Sequence, residues 1–327
     1  MFNLRDIVLA QALGGGSSGG GGGDTPSGGG DWIGDGKTHL WIKIAAEGRM
    51  DVPLYFSQTV ANGVTIDWGD GSALQTLSGT GNVKTTHTYA RIGEYCITLD
   101  VADGCTLGLG HNSETAYCVM GPTITSGRVY TNMLQKAEIG NGVTNIGSSA
   151  FNNCHSLASI IIPDGVTSIE KKAFYYCYSL ASISIPDSVT SMGVEMFCNC
   201  YSLTSIIIPD SITSIGQKAF YNCYSLASII IPDGVTSIEQ NAFYNCHSLA
   251  SFIIPNGVTS IGAQAFYDCS GFWKIRFEGA TPPTVSNSNA FLVLPTDCII
   301  SVPVGSLEAY KTATNYPDPN TYTYVEE

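Results

Sequence analysis

The sequence predicts a mainly β protein in which a β-sandwich precedes a solenoid of 23-residue units closed by a C-terminal cap. The first observation is a fixed period, which is typical of a solenoid whose units bury their apolar sides against one another. Two residue types recur with this period: Phe151, Phe174, Phe197, Phe220, Phe243 and Phe266, and Cys154, Cys177, Cys200, Cys223, Cys246 and Cys269. The second observation is that β-forming runs separated by glycine-containing turns precede these repeats.

The composition restricts the class of partner. The chain has 327 residues, enough for two or three domains, and is 44% hydrophobic but only 13% charged. Its net charge of -13 predicts a surface that repels the phosphates of nucleic acid and of anionic lipid. No run approaches the roughly 20 apolar residues that cross a bilayer. We therefore expect no nucleic-acid partner and no membrane insertion.

The start of the chain predicts a tether. Residues 1–13 form a short N-terminal segment whose apolar run, Ile7–Leu13, is too short for a convincing signal peptide. Residues 14–30 are nearly all glycine and serine and predict a flexible linker. A short apolar segment, a glycine tether and a folded display region together resemble the layout of some phage tail-associated proteins.

Residues 31–110 predict the β-sandwich. Its strand-forming runs are Thr38–Ala45, Asp51–Phe56, Val64–Asp67, His87–Tyr89 and Gly93–Val101. The turn Trp68-Gly-Asp-Gly-Ser72, the tripeptide His87-Thr-Tyr89 and the run that begins Gly93-Glu-Tyr95 together closely resemble the polycystic-kidney-disease (PKD) domain. The resemblance implies an Ig-like β-sandwich that acts as a non-catalytic spacer or display module.

Two acidic residues of this region have alternative interpretations. Asp67 and Asp70 are either metal ligands or a strand residue and a turn residue, and the second interpretation is favoured because no further acid follows at a calcium-loop spacing. Residues 111–136 contain no repeat. They predict a connector together with the N-terminal cap that a solenoid requires at its open end.

Residues 137–279 contain the repeats. Within one unit, Ile183 and Ile185 complete the Leu-x-x-Ile-x-Ile spacing of a leucine-rich repeat. Alternation along a strand sends these isoleucines inward and Ser182 and Ser184 outward. The recurring Ile-Pro-Asp-Gly-Val-Thr-Ser-Ile, followed by Ala-Phe, Cys and Ser-Leu, strongly resembles the BspA-like leucine-rich repeat of bacterial surface proteins. This resemblance implies adhesion or protein recognition outside a cell.

The end of the chain predicts the closing cap. The run Phe272–Phe277 predicts the last strand of the array, and residues 280–327 predict the cap that follows it. Within the cap, Ser306 begins a predicted short helix through Lys311.

The cysteines predict a ladder of free thiols. Equivalent residues in stacked coils lie about 4.8 Å apart with parallel Cβ vectors, whereas a disulfide requires convergent Cβ atoms about 3.8 Å apart. We therefore expect the six repeat cysteines to act as small buried hydrophobic residues. Cys96, Cys105 and Cys118 lie outside the ladder, and the sequence leaves open whether they form a disulfide.

No catalytic residue, cofactor or metal is predicted. Gly15–Gly19 matches the Gly-x-Ser-x-Gly nucleophile pattern but lacks the strand and helix that the pattern requires. Cys154 precedes His155, and Cys246 precedes His247, but adjacent residues on an extended path point apart. We therefore expect a protein that is not an enzyme.

Two columns of the repeat are candidate contact surfaces. The aromatic column follows the ladder cysteines and consists of His155, Tyr178, Tyr201, Tyr224 and His247. The isoleucine column points outward from the strands and consists of Ile161, Ile207, Ile230 and Ile253, with Ser184 at the same position. Tyrosine rows suit protein or sugar ligands, and an exposed apolar stripe suggests an interface. The structural alternatives are rings that only stack on one another and isoleucines that only contact one another.

An acidic column occupies the turn after the strand. Its members are Asp164, Asp187, Asp210 and Asp233. Turn chemistry explains aspartate at this position, and a weak calcium-binding edge is the alternative.

The combined hypothesis is a non-catalytic extracellular adhesion or protein-recognition protein, located at a cell surface or on a virion. Its partner would be a host or cell-surface protein, or alternatively a glycan, held by the strand face and the aromatic column. The competing hypothesis is a structural or assembly component of a phage tail or surface fibre that associates through the isoleucine column. The sequence leaves the ligand and the oligomeric state open.

Overall fold

The computed structural model describes residues 33–45, 51–110, 117–122 and 132–327. The predictions for the N-terminal segment 1–13 and the linker 14–30 lie outside these residues, as does most of the connector 111–136. The regular structure of the described chain is short β-strands joined by turns, with a single short helix. The prediction of a mainly β protein is therefore confirmed.

The described region before the repeats forms two larger sheets and one two-stranded sheet. Its strands are β1 (Thr38–Ile44), β2 (Asp51–Gln58), β3 (Val64–Asp67), β4 (Gln75–Thr76), β5 (Gly81–Thr88), β6 (Gly93–Val101), β7 (Leu107–Leu109), β8 (Tyr117–Cys118) and β9 (Gly121–Pro122). One sheet has the order β1-β6-β3-β4 and the other has the order β7-β2-β5, and all these pairings are antiparallel. Leu40 and Ile97 of the first sheet and Leu54 and Phe56 of the second belong to one buried core.

The three motifs of this region meet in one cluster. The His87 ring stacks on Trp68 with a centroid distance of 4.8 Å, and the Tyr89 ring packs edge-on against His87 at 4.8 Å. The Tyr89 hydroxyl donates a 2.7 Å hydrogen bond to the Trp68 carbonyl oxygen. Gly69 has a φ of +75°, and a Cβ atom there would collide with the carbonyl oxygen of Cys96. Glycine is therefore required in this turn.

The repeats form a solenoid with two rows of short parallel strands. The strands are β10 (Leu134–Glu138), β11 (Val143–Ile146), β12 (Ser159–Ile161), β13 (Ser168–Ile169), β14 (Ser182–Ser184), β15 (Ser205–Ile207), β16 (Ser214–Ile215), β17 (Ser237–Ile238), β18 (Ser251–Ile254), β19 (Ser260–Ile261), β20 (Lys274–Phe277) and β21 (Thr284–Val285). The first row contains β10, β12, β14, β15, β18 and β20, and the second contains β11, β13, β16, β17, β19 and β21. Only the first row was predicted from the sequence.

The two N-terminal sheets continue directly into the two rows of the solenoid. β1 pairs antiparallel with β10, which pairs parallel with β12. On the other side, β7 pairs parallel with β11, which pairs parallel with β13. Backbone hydrogen bonds therefore run without a break from the N-terminal region into the first turns of the array.

The interior of the solenoid is filled by ladders of identical side chains. Rings of successive phenylalanines from Phe151 to Phe291 stack with centroid distances of 5.2–5.7 Å. The cysteine ladder lies beside them, and Cys223 Sγ donates a 3.2 Å hydrogen bond to the carbonyl oxygen of Phe197 in the preceding turn. All six ladder cysteines are buried and none of them forms a disulfide, as predicted.

Cysteines outside the ladder show no disulfide among the described side chains. Cys96 is half-buried and free, and Cys105 is buried and free. The side chain of Cys118 lies outside the described part of the structure.

Left-handed corners flank each phenylalanine. The residue two positions after the ring has a positive φ, for example 62° at Asn199, 58° at Asn222 and 59° at Asn245. Asparagine tolerates this conformation better than most residues. Its amide also bridges the turns, because Asn222 Nδ2 donates to Asn199 Oδ1 at 2.7 Å and Asn245 Nδ2 donates to Asn222 Oδ1 at 2.9 Å.

The C-terminal region extends the first row of strands. β22 (Ile299–Val302), α1 (Leu307–Lys311) and β23 (Thr323–Glu326) follow the repeats. The prediction that Phe272–Phe277 forms the last strand is wrong, because β20 pairs in parallel with β22 and β22 pairs in parallel with β23. The predicted short helix is confirmed, with Ser306 at its N-cap position.

Candidate recognition face

The outward side of the first strand row is called here the strand face. Parallel pairing aligns its residues in columns, with Ser182 opposite Ser205 and Ser184 opposite Ile207. The inward isoleucines Ile183 and Ile206 are each 3% exposed. Alternation along the strands thus separates a buried column from an outward one, as predicted.

The isoleucine column lies on this face. Ile161 is 38% exposed, Ile230 is 41% exposed and Ile253 is 49% exposed, whereas Ile207 is half-buried. Branched apolar side chains therefore face outward on several turns beside serine and threonine. Whether they bind a ligand stays a prediction.

The aromatic column forms a continuous stack. His155 lies 4.4 Å from Tyr178, Tyr178 lies 4.6 Å from Tyr201, Tyr201 lies 5.0 Å from Tyr224 and Tyr224 lies 5.1 Å from His247, all measured between ring centroids. Interplanar angles are 11–20°. Both faces of each inner ring are therefore covered by neighbouring rings, and only ring edges and hydroxyl groups remain for a ligand.

Burial changes the acid–base properties of this column. It lowers the pKa of His155, whose Nε2 atom is buried and has no hydrogen-bond partner. Burial raises the pKa of Tyr201 to about 12, with a smaller contribution from Tyr178 and Tyr224. The Tyr201 hydroxyl group therefore remains neutral at physiological pH and can act as a hydrogen-bond donor.

A shallow groove lies on the strand face. It has a volume of about 440 Å³, and the isoleucine column forms part of its lining through Ile207, Ile230 and Ile253. Asp210 and Asp233 of the acidic column and Glu278 of the following strand end also line it. The groove thus brings together three members of the isoleucine column and two of the acidic column.

The acidic residues of the N-terminal turn, Asp67 and Asp70, accept hydrogen bonds that stabilise the turn. Asp67 Oδ1 accepts a 2.9 Å hydrogen bond from the Gly69 backbone N–H, and Asp70 Oδ1 accepts one of 3.0 Å from Ser72 N–H. Asp70 also accepts from His87 Nε2 at 2.7 Å. Among the described residues, no group of three histidine, cysteine or acidic side chains is placed to hold a metal ion.

The ladder thiols have the wrong properties for a nucleophile. Burial raises the pKa of the Cys200, Cys223, Cys246 and Cys269 thiols. A thiol must ionise to become a strong nucleophile, and burial opposes that ionisation. The thiol of Cys246 also points into the core while His247 joins the exposed end of the aromatic column.

Three features around this surface were not predicted from the sequence. Tyr221, Tyr244 and Tyr267 form a second stack with 4.7 Å spacings, and their position directly after the core phenylalanine was the available signal. Trp273 is 55% exposed at the C-terminal end of the strand face. Glu278 takes the place that proline occupies in the repeats, so its position in the groove follows from alignment of the units.

No helix in the described residues is both long enough and apolar enough to cross a bilayer.

Several solved structures are similar to this chain. A leucine-rich repeat protein of T. pallidum is 27% identical, covering 60% of this chain and 86% of that one with a TM-score of 0.37. A leucine-rich repeat protein from Bacteroides ovatus is 22% identical, covering 68% of this chain and 70% of that one with a TM-score of 0.36. A leucine rich cell surface protein from Faecalibacterium prausnitzii is 23% identical, covering 68% of this chain and 91% of that one with a TM-score of 0.28.

The comparison with protein families gives the clearest result. The chain matches no curated protein. The family model of the BspA type leucine rich repeat region matches in six copies, over residues 123–249 and 213–293. These matches span more than half of the chain, and their repeats are those that form the solenoid. The protein therefore belongs to the BspA-type leucine-rich repeat family.

Proposed function

We propose that this protein is a non-catalytic adhesion or recognition protein that binds another protein through its strand face. The observation that carries the proposal is the isoleucine column, which exposes Ile161, Ile230 and Ile253 at the same position of three repeats. Exposed apolar residues aligned over several turns are typical of an interaction surface. A solenoid provides such a surface because its stacked units build an extended face from short repeats.

The site of action is outside the cell, at a bacterial surface. Membership of the BspA-type family supports this location, since such repeats are typical of bacterial surface proteins. The low charged fraction and the stacked, serine-rich strands are also compatible with a protein displayed on a surface.

The partner is a protein rather than a glycan. Sugar rings bind aromatic side chains through the ring face, and the inner rings of the aromatic column already use both faces for stacking. The aromatic column therefore borders the contact surface through hydroxyl groups and ring edges, while the isoleucine column provides the apolar contact. In this proposal Tyr178, Tyr201 and Tyr224 supply the hydroxyl groups that hydrogen-bond to the partner.

We also propose that the N-terminal β region is a PKD-like display module. Its support is the cluster in which Trp68, His87 and Tyr89 pack together and Asp70 bonds to His87. The module would act as a spacer that holds the solenoid away from the tether.

A biosensor measurement tests the recognition proposal. The full chain is passed over a panel of purified host extracellular-matrix and plasma proteins, and any captured partner is then measured against two double variants. Ser184→Arg with Ile253→Arg places two charges on exposed positions of the strand face, whereas Thr213→Arg with Gln240→Arg places them on exposed positions elsewhere.

We expect the strand-face variant to lose binding by at least about tenfold, because charged side chains would have to be desolvated within the contact. The control variant should bind like the wild type. Absence of capture across the panel, or equal binding by both variants, would contradict the proposal.

A further inference from the structure

The groove lies where one turn of the solenoid departs from its neighbours. Ser228–Ile231 contains no strand, whereas the same position of the adjoining turns forms β15 and β18. Its inward isoleucine, Ile229, is only partly buried, while the equivalent Ile206 is 3% exposed. The segment between β15 and β18 therefore differs in conformation from the rest of the strand face. The groove lies along this segment.

This turn leaves backbone hydrogen-bonding groups available. The N–H and C=O groups of Ser228–Ile231 make no hydrogen bond to any other backbone group of the described chain. Elsewhere in this row such groups bond to a neighbouring strand, as they do between β14 and β15 through Ser182, Ile183 and Ser184. A ligand with its own backbone donors and acceptors satisfies such groups, and an extended peptide is that kind of ligand.

The rim of the groove is acidic. Asp210, Asp233 and Glu278 line it, and within the described residues neither Asp233 nor Glu278 takes part in an ion pair. Lys274 Nζ donates a 2.7 Å hydrogen bond to Glu327 Oε1, which lowers the pKa of Glu327. Arg276 is paired with Ile253 between β18 and β20, so one cation borders the groove against three carboxylates. The charge at the groove is therefore negative and complements a cationic ligand.

We infer that this groove binds an extended, basic peptide segment of the protein partner, with a branched apolar side chain seated among Ile207, Ile230 and Ile253 and flanking lysine or arginine at the acidic rim. This inference rests on the proposed function and narrows it to a subsite and a partner chemistry. Three independent features agree on it: the apolar floor, the unbonded backbone of Ser228–Ile231, and the negative rim.

The repeats provide a matched control for each part of the groove. Ala227–Gly234 and Ala158–Gly165 have the same sequence, Ala-Ser-Ile-Ile-Ile-Pro-Asp-Gly, but only the first lies at the groove. Ile230→Ser and Ile161→Ser therefore make the same chemical change at exposed sites, one inside the groove and one outside it. Asp233→Asn and Asp164→Asn form the corresponding pair for the rim.

The experiment is fluorescence anisotropy on the full chain with three short labelled peptides. The central motif of the first is lysine–valine–lysine, that of the second is glutamate–valine–glutamate and that of the third is lysine–serine–lysine. We expect the first peptide to bind about tenfold tighter than either of the others. Its affinity should fall as salt is raised, because the rim charges are exposed.

Ile230→Ser should weaken the lysine–valine–lysine peptide about tenfold, while Ile161→Ser leaves it unchanged. Asp233→Asn should weaken it and flatten its salt dependence, while Asp164→Asn does neither. Equal binding of all three peptides, or equal effects inside and outside the groove, would overturn the inference. The peptide experiment can fail while the biosensor still detects a partner whose binding the strand-face variant abolishes. That combination would remove the peptide subsite and leave the proposed function unaffected.

Discussion

His155 shows how one position of the aromatic column acquires a special property. It occupies the place that tyrosine holds in the next turns, it stacks on Tyr178 at 4.4 Å, and its Nε2 atom is buried without a partner. Burial disfavours the charged imidazolium, so the pKa of His155 in the folded chain lies below the ordinary value for histidine. Proton uptake is then easier in the unfolded chain than in the folded one.

The sign of the resulting pH dependence is fixed. The unfolded state binds the His155 proton more tightly than the folded state does. The folded state therefore has its full stability above the pKa that His155 has in the unfolded chain, and it loses stability as the pH falls toward the lower pKa of the folded chain. The tyrosine variant has no such group. We therefore expect the stability of His155→Tyr relative to the wild type to be greater at about pH 5.5 than at about pH 7.5. Thermal unfolding of both proteins at the two pH values measures this difference. A constant difference in Tm between them would contradict the assignment.

At the scale of the element, the aromatic column is a stabilising structure. Its five rings stack continuously from His155 to His247. Stacked aromatic pairs contribute about 0.5–1.5 kcal/mol each beyond the area they bury. The column therefore stabilises the solenoid in addition to any contact that its hydroxyl groups make.

Two substitutions of Tyr201 distinguish the stabilising contribution of its ring from that of its hydroxyl group. Tyr201→Ala removes two stacked contacts and should lower the free energy of unfolding by about 2–3 kcal/mol. Tyr201→Phe keeps both contacts and should change it by less than about 0.5 kcal/mol. Urea unfolding measures both variants. A cost for the alanine variant no larger than that for phenylalanine would show that the stack contributes nothing.

The elements also show what sequence can and cannot predict. Inward and outward isoleucines were predictable because alternation along a strand is fixed by backbone geometry. The second strand row was missed because each of its members, such as Ser168–Ile169, is too short to show a period. The groove was not predictable at all, since Ser228–Ile231 has the same sequence as residues 159–162 and differs only in its three-dimensional neighbours.

At the scale of the whole molecule, the N-terminal sheets and the solenoid share their hydrogen-bond ladders. β1 pairs with β10 and β7 pairs with β11, so separating the two parts would expose four strand edges. Exposed edges lose hydrogen bonds and promote association. The sequence analysis separated the sandwich from the solenoid by a connector and an N-terminal cap, because motif resemblance carries no information about strand pairing across a boundary.

Calorimetry tests this continuity. We expect the full chain to unfold in a single cooperative transition, because opening either part removes ladder partners from the other. A truncated chain that begins at residue 132 should unfold at a lower temperature than the full chain or should aggregate, since β10 and β11 lose their partners. Two well-separated unfolding transitions of the full chain would contradict the claim that strand pairing couples the two parts.

The central claim is that the strand face is the recognition surface of this BspA-type repeat protein. Hydrogen–deuterium exchange of the full chain, with and without the lysine–valine–lysine peptide, tests it most directly. The amides of Ser228–Ile231 make no backbone hydrogen bond in the free protein, so they should exchange rapidly alone and slowly when the peptide is bound. Protection centred on these residues, β15 and β18 is the predicted result. Protection confined to the second strand row, or absent everywhere, would contradict the claim.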